Sequence, residues 1–348
     1  MLERWHGPAK VSQLMRKHPL VSVIVPTYNA APWLDECLSS VLRQTCGDFE
    51  CIVVDDGSKD GTVDKVRNYA ARDARLRVFT QPHEGPGSAR NLGLSRARGK
   101  YLYFLDADDF IEGTLLERCV DAMQEHAADM CIFDIFEHDA CKQTDRLPTW
   151  CLKQKYLPEN NPFSAMMVSR YIFNIFSNYV WNKFFRHQFV IDNEITFHEI
   201  LRTEDLIFTS KALVAAKRIY VLNERLVHYR VNNRNSSINN NELYYTDFIY
   251  AFHRLKKYLC ECKKFQTYVI SYVNHKIDGS VFNLFSMQQE KIFTKLFLLL
   301  QLWLKDVKLL TDISVFNIRK YSICQDILTL PVRSFIAKYA SALRWHMA

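Results

Sequence analysis

The sequence predicts an α/β fold in which a mostly parallel sheet is flanked by helices and continued by a mainly helical C-terminal region. Three observations predict it. Short β-branched runs alternate with amphipathic stretches between residues 20 and 105. Three of those runs end in polar segments suited to ligand contact. From about Glu242 onward, apolar residues recur at helical spacing, as in Tyr244, Phe248, Ile249, Phe252, Leu255 and Leu259.

The elements follow in order. Leu20 to Val25, closed by Pro26, reads as a buried strand. Trp33 to Gln44 places Trp33, Leu34, Cys37, Leu38, Val41 and Leu42 on one helical face. Phe49 to Val54 is a second buried strand, ending at Asp55-Asp56-Gly57-Ser58. Thr62 to Asp73 reads as helix, Leu76 to Phe79 as a short strand and Gly87 to Arg98 as a third helix. Tyr101 to Leu105 is a fourth strand, ending at Asp106. Strand–helix alternation of this kind implies a parallel sheet with helices on both faces. Ligands collect at the carboxyl ends of such strands. Residues 26–29, 55–58 and 106–109 are therefore expected along one edge. Beyond residue 135 the pattern loosens, with a polar connector from Cys141 to Asn161 and short aromatic and charged segments to residue 235.

Composition bounds the function. The chain has 348 residues, of which 48% are hydrophobic and 24% charged, enough for a substantial core. A formal charge of +7 is a dispersed basic excess without a nucleic-acid-binding signature, so nucleic acid is not an expected partner. Ten cysteines without a C-x-x-C read as reduced, buried thiols rather than a zinc site. The N-terminus has no apolar signal region, and Leu296 to Leu304 is too short to span a bilayer. A cytoplasmic chain, or one peripheral on the inner face of the membrane, is the expectation.

Four segments can carry chemistry. Asp106-Ala107-Asp108 sets two carboxylates at a strand end, a hard oxygen site suited to Mg2+ or Mn2+ with a diphosphate. Asp56 is placed to accept a hydrogen bond from a base or ribose, while a neighbouring residue caps the turn. Gly85-Pro86-Gly87-Ser88-Ala89-Arg90 opens a helix and brings a guanidinium towards phosphate, but it is no dinucleotide fingerprint. Glu204-Asp205 begins an apolar helical stretch, where acidic residues also suit the helix dipole.

Together, residues 21–29, Val53-Val54-Asp55-Asp56-Gly57-Ser58, Ala89-Arg90-Asn91-Leu92-Gly93 and residues 99–109 resemble bacterial family 2 glycosyltransferases. The likeness continues through Trp181-Asn182-Lys183, Glu204-Asp205 and His228-Tyr229-Arg230, and stops near residue 240. It implies the Rossmann-like GT-A fold of nucleotide-diphospho-sugar transferases. It further implies that Pro26 and Tyr28 cradle the base, Asp56 binds its edge, Arg90 lies near the diphosphate, Asp106 lies beside the ribose and Asp108 ligates the metal with Asp106. Asp205 matches the family's catalytic base, and Trp181, Lys183 and Glu204 border the acceptor or the sugar. His228 is left between a metal or diphosphate contact and a packed core histidine.

The chain then divides into a lead-in of one or two helical turns (1–18), a nucleotide-sugar-binding half (19–130), an acceptor-binding half (131–240) and a helical C-terminal region (241–348). The implied function is metal-dependent, inverting transfer from a nucleotide-sugar, expected to be a UDP-sugar, to a hydroxyl of a glycan or lipid-linked acceptor. Cell-surface polysaccharide or lipopolysaccharide synthesis is the expected setting. A metal-dependent phosphohydrolase fits poorly, because Asp109-Phe110 follows the second aspartate. A non-catalytic nucleotide-sugar scaffold is the other alternative. Phe335, Ile336, Tyr339, Leu343 and Trp345, flanked by Arg333, Lys338 and Arg344, suit an anionic membrane surface, packing on the chain's own core, or a homodimer partner.

Overall fold

The computed structural model of the protein describes residues 18–232, 242–309 and 315–343. The lead-in, apart from His18, lies outside them, as do Arg344 and Trp345. Strands β1 (Val21–Thr27), β2 (Phe49–Asp55), β3 (Leu76–Thr80) and β4 (Tyr101–Phe104) pair in parallel, in spatial order β3-β2-β1-β4. Helices α1 (Leu34–Leu42), α2 (Thr62–Ala70) and α3 (Pro86–Arg96) connect them. Packing on both faces explains why β1 is apolar apart from Ser22 and Thr27. Val21, Val23 and Val25 pack with Leu34, Leu38 and Val41 of α1 in one core. Ile24 joins Ile52, Ala89 and Leu94 in the other.

Chain order reverses at β1, with β2 and β3 on one side and β4 on the other, which is where a ligand crevice is expected. Pro26 marks this place. The strand does not stop at Val25 but runs through Pro26 to Thr27. Leu105 donates its N–H to the Ile24 carbonyl, so Ile24, and with it Pro26 two residues on, turns towards β4. The β1–β4 pairing ends at Ile24 with Phe104. The N–H that proline lacks thus falls where the sheet has already parted.

The second half is not parallel throughout. It comprises β5 (Phe110–Ile111), α4 (Leu115–Glu125), β6 (Met130–Asp139), β7 (Thr144–Arg146), α5 (Ile172–Ile175), β8 (Lys183–Arg186), α6 (His187–Asp192), α7 (Glu204–Ala215) and β9 (Ile219–Val231). Strand β8 runs antiparallel between β4 and β6, and β6 pairs in parallel with β9. Strands β5 and β7 add antiparallel to β9 and β6. The described residues form one mixed, nine-stranded sheet.

The C-terminal region is helical, with α8 (Asp247–Glu261), α9 (Phe265–Ser286), α10 (Glu290–Trp303), α11 (Ile318–Thr329) and α12 (Val332–Tyr339). Phe248, Phe252, Leu255 and Leu259 share one apolar cluster with Phe208 of α7 and Phe104 of β4. The expected amphipathic end is largely spent on this core. Phe335 and Leu343 are fully buried, and Ile336 and Tyr339 pack against the same cluster. The apolar face proposed for a membrane therefore already has a protein partner. Among the described residues no helix is long and apolar enough to cross a membrane. All ten cysteines are free, and Cys141 and Cys260 are exposed rather than buried.

Close contact of α3 with β1 rests on Gly93, where an added Cβ would meet Ile24 Cγ2 at 2.4 Å. Ile24 is β-branched and fully buried, so it has little room to yield. Gly93→Ala should lower unfolding stability by about 1–3 kcal/mol, read as a lower urea midpoint at unchanged m-value.

Candidate active site

The three polar segments do meet at the carboxyl ends of β1, β2 and β4. Each is held by a local device. Asp55 folds the turn after β2, accepting from the backbone N–H groups of Gly57 (3.1 Å) and Ser58 (2.9 Å). Asp56 is buried and fully engaged. Its Oδ1 accepts from Gln81 Nε2 (2.8 Å) and Glu84 N (2.9 Å), and its Oδ2 accepts from Gly85 N (2.9 Å) and His83 Nδ1 (2.7 Å). A base can hydrogen-bond Asp56 only by displacing or sharing one of these donors, and His83, half-exposed, is the accessible one. Tyr28 is 46% exposed and stacks on the His83 ring at 4.0 Å. His83 thus joins the expected base site, although nothing in its own sequence neighbourhood marked it.

The two residues leading into α3, Glu84 and Gly85, donate their N–H groups to Asp56. Gly85 makes this possible with a φ of +94°. Gly87 lets the helix start approach the segment before α7, since a Cβ there would sit 2.2 Å from the His198 carbonyl oxygen. This approach carries Arg90 to a place different from the one expected. Its side chain is nearly inaccessible, and its fork is spent on carboxylates. Nη2 donates to Asp106 Oδ1 at 2.6 Å and Nη1 to Glu204 Oε1 at 2.6 Å. Asp205 Oδ1 lies 3.1 Å from Nη1. Arg90 therefore ties the carboxyl end of β4 to the start of α7. It does not present a free guanidinium to a diphosphate.

Asp205 is the distinctive carboxylate. It is 8% exposed, and its Oδ2 accepts from Val180 N at 3.2 Å. Its Oδ1, despite the nearby guanidinium, lacks hydrogen-bond geometry with any partner. Burial lifts its pKa to about 7 against the pull of Arg90, with Glu204 and Asp106 adding to the rise. Thr203, immediately before the pair, holds a left-handed φ of +65°, a strained conformation for a β-branched residue.

Asp106, Asp108 and Asp109 offer oxygens within 4.8 Å of one another. Asp109 is the member that the sequence left without a role. It is buried, its Oδ1 accepts from Arg230 N at 2.8 Å, and its Oδ2 has no hydrogen-bond partner. Burial first, and then the charges of Asp108 and Asp106, push its pKa well above the usual carboxylate range. An orphaned buried oxygen beside two further carboxylates is the environment that a divalent cation relieves. These residues therefore fit a hard metal ion.

Trp181 and Lys183 do not border an open site. Both are fully buried. Trp181 stacks against both Tyr179 (4.9 Å) and Tyr229 (5.1 Å), whose rings are 5.8 Å from each other, with Trp150 edge-on at 6.5 Å. Lys183 Nζ donates to the Ser177 and Tyr179 carbonyls and to Asn182 Oδ1. Burial lowers its pKa to about 8. It braces the 177–182 segment whose Val180 N–H holds Asp205. Glu204 is likewise buried against Arg90 rather than turned to an acceptor. His228 points away from this aromatic wall, on the opposite side of β9 from Tyr229.

Residues 22–191 match the family described as glycosyl transferase family 2. The glycosyltransferase EpsJ of Bacillus subtilis is 34% identical over 218 residues, 62% of this chain and 62% of that protein. The poly(ribitol-phosphate) beta-N-acetylglucosaminyltransferase TarS of Staphylococcus aureus is 31% identical over 60% of this chain and 35% of its own length. The crystal structure of TarS residues 1–349 superposes with a TM-score of 0.69 at 25% identity, covering 92% of this chain and 91% of that one. The same protein is known in complex with UDP-GlcNAc. The mixed sheet with flanking helices is thus the GT-A fold. The chain matches about three fifths of the length of EpsJ and of its Bacillus subtilis relative EpsH.

Arg90→Met should lower stability by about 3–5 kcal/mol at pH 7.5, because three buried or half-buried carboxylates lose their shared cation. The loss should shrink at pH 5, where those carboxyls take up protons. Denaturant titrations at the two pH values measure both effects.

Proposed function

With residues 22–191 belonging to glycosyl transferase family 2, we propose that this chain transfers a sugar from a UDP-sugar to a hydroxyl of a glycan or lipid-linked acceptor, with inversion at the anomeric carbon. Asp205 carries this reading. A weak hydroxyl nucleophile must lose its proton as it attacks, so the site needs a carboxylate with a vacant acceptor oxygen and a pKa near the working pH. Asp205 Oδ1, ion-paired with Arg90 but without a hydrogen-bond partner, is the candidate for the first, and burial supplies the second. Arg90 orients this base against the segment bearing Asp106. The base on one side of the sugar and the diphosphate on the other give a single displacement, which inverts.

Tyr28 and His83 form the surface on which a base would stack, and Asp56 the acceptor for its edge. Asp106 and Asp108, backed by the buried Asp109, would hold a Mg2+ or Mn2+ ion. When bound, the ion supplies charge stabilisation to the departing nucleoside diphosphate. Two likenesses support the choice of donor: TarS is named as an N-acetylglucosaminyltransferase and has been crystallised with UDP-GlcNAc. UDP-GlcNAc is therefore the first donor to test. The shared aromatic wall of Trp150, Tyr179 and Tyr229, half-exposed at Trp150, suits the apolar face of a sugar ring. Synthesis of a cell-surface polymer is the setting consistent with these relatives.

Asp205→Asn separates catalysis from folding. Asparagine keeps the Val180 contact and the volume but cannot take a proton. Transfer should fall by at least about 10²-fold while metal-dependent binding of the UDP-sugar persists. Unchanged transfer contradicts the base assignment. The folded carboxyl pKa lies above its ordinary value of 3.8, so its contribution to stability is present at acid pH and lost as pH rises through about 7. Asp205→Asn should therefore raise Tm at pH 8 and change it little at pH 4. In the wild type, kcat/KM should fall tenfold per pH unit below about 7. Asp108→Asn should instead abolish the dependence of donor binding on Mn2+, measured calorimetrically with and without the metal.

A further inference from the structure

We propose that His138, Asp145 and His228 form a binding site for a zinc-class divalent metal, independent of the carboxylates at residues 106–109. The three residues come from β6, β7 and β9, which lie side by side. His138 faces Asp145 across one ladder, and His228 faces Phe136 across the other. His138 Nδ1 is 2.8 Å from Asp145 Oδ1, and His228 Nδ1 is 3.1 Å from Asp145 Oδ2. The three ligand atoms fall within 4.8 Å of one another.

The hydrogen bond on the far side of His228 makes this more than a polar cluster. Its Nε2 lies 2.9 Å from Glu112 Oε1. A carboxylate only accepts, so Nε2 carries the proton. In a neutral imidazole Nδ1 is then a lone pair, and it is buried without a hydrogen-bond partner while facing Asp145 Oδ2. Two acceptors confronting each other at that distance repel unless a cation lies between them. A carboxylate on the outer nitrogen and a vacant inner nitrogen is the arrangement by which metal-ligating histidines are oriented.

The rings are also held in advance. His228 is sandwiched between Phe110 at 4.3 Å and Phe136 at 4.8 Å, and His138 stands edge-on to Phe110 at 5.1 Å. Around a tetrahedral zinc with bonds of about 2.0–2.1 Å, ligand atoms sit about 3.4 Å apart. The two observed contacts, one to each oxygen of Asp145, would open by about 0.6 and about 0.3 Å. Asp145 is 37% exposed, which leaves an entry path and room for a water as fourth ligand. Two imidazoles and one carboxylate favour zinc, cobalt or nickel over magnesium or calcium. A bound ion would staple the β6–β7 hairpin to β9, the strand that carries Tyr229.

The test uses the full-length chain, stripped with chelator and titrated with Zn2+, and with Co2+ as a coloured probe. Asp108→Asn serves as the background, so that the donor-site carboxylates do not compete. One Zn2+ per chain should survive desalting, with a visible Co2+ spectrum typical of nitrogen–oxygen ligation. His138→Gln and the exposed hairpin variant Asp145→Asn should each weaken binding at least about tenfold, with circular dichroism confirming the fold. Zn2+ that binds these variants as well as the parent overturns the proposal. So does a parent whose stability responds to pH across the histidine range but not to Zn2+, since a proton on His228 then replaces the metal.

Discussion

The guanidinium of Arg90 is the group on which the candidate site depends. It is buried with three carboxylates and supplies the one positive charge among them. Two of its partners stand at the first turn of α7 and the third follows β4, so one side chain fixes the distance between the start of α7 and the end of β4. The same arrangement leaves a surplus of negative charge. Burial first, and nearby like charge after it, lift Asp205 and Asp109 above ordinary carboxylates, and the unbalanced charge gives a divalent cation a reason to bind.

The crevice that exposes these groups is made by the sheet rather than by a loop. Strand β4 leaves β1 at Ile24, and β1 goes on through Pro26 to Thr27. A proline is tolerated there because its side of the strand is unpaired, and it keeps a neighbouring strand from closing the gap. Antiparallel β8 then turns the sheet towards β6 and β9, and Tyr229 of β9 joins Trp150, Tyr179 and Trp181 from outside the sheet in the aromatic wall. Behind the wall, Lys183 spends its charge on backbone carbonyls and holds the segment that presents Val180 to Asp205. The C-terminal helices share a core with α7, so they support that helix from behind.

The sequence alone determined the alternating first half of the fold. Strands β1, β2 and β4 are buried on both faces and helices α1 and α2 are amphipathic, and both properties are local patterns with fixed periods. For the same reason, the strand-end segments at Tyr28, Asp56 and Asp106 were legible, since parallel topology brings strand ends together whatever the side chains do. The pairing of β8, β6 and β9 was not legible. Antiparallel insertion between distant strands leaves no local period, and the short aromatic runs after residue 135 fit several pairings.

Only the tertiary structure decided what the polar residues do. Arg90 and Glu204 are 114 positions apart, so nothing in either neighbourhood indicates that they meet. Trp181 and Lys183 carry the character of ligand-binding residues, yet they are fully buried, because burial depends on what packs over a residue. His83, Asp109 and the histidines at 138 and 228 gained their significance in the same way. A residue type fixes what chemistry is available, whereas proton affinity, hydrogen-bond vacancy and metal geometry are set by neighbours that the folded chain supplies from elsewhere.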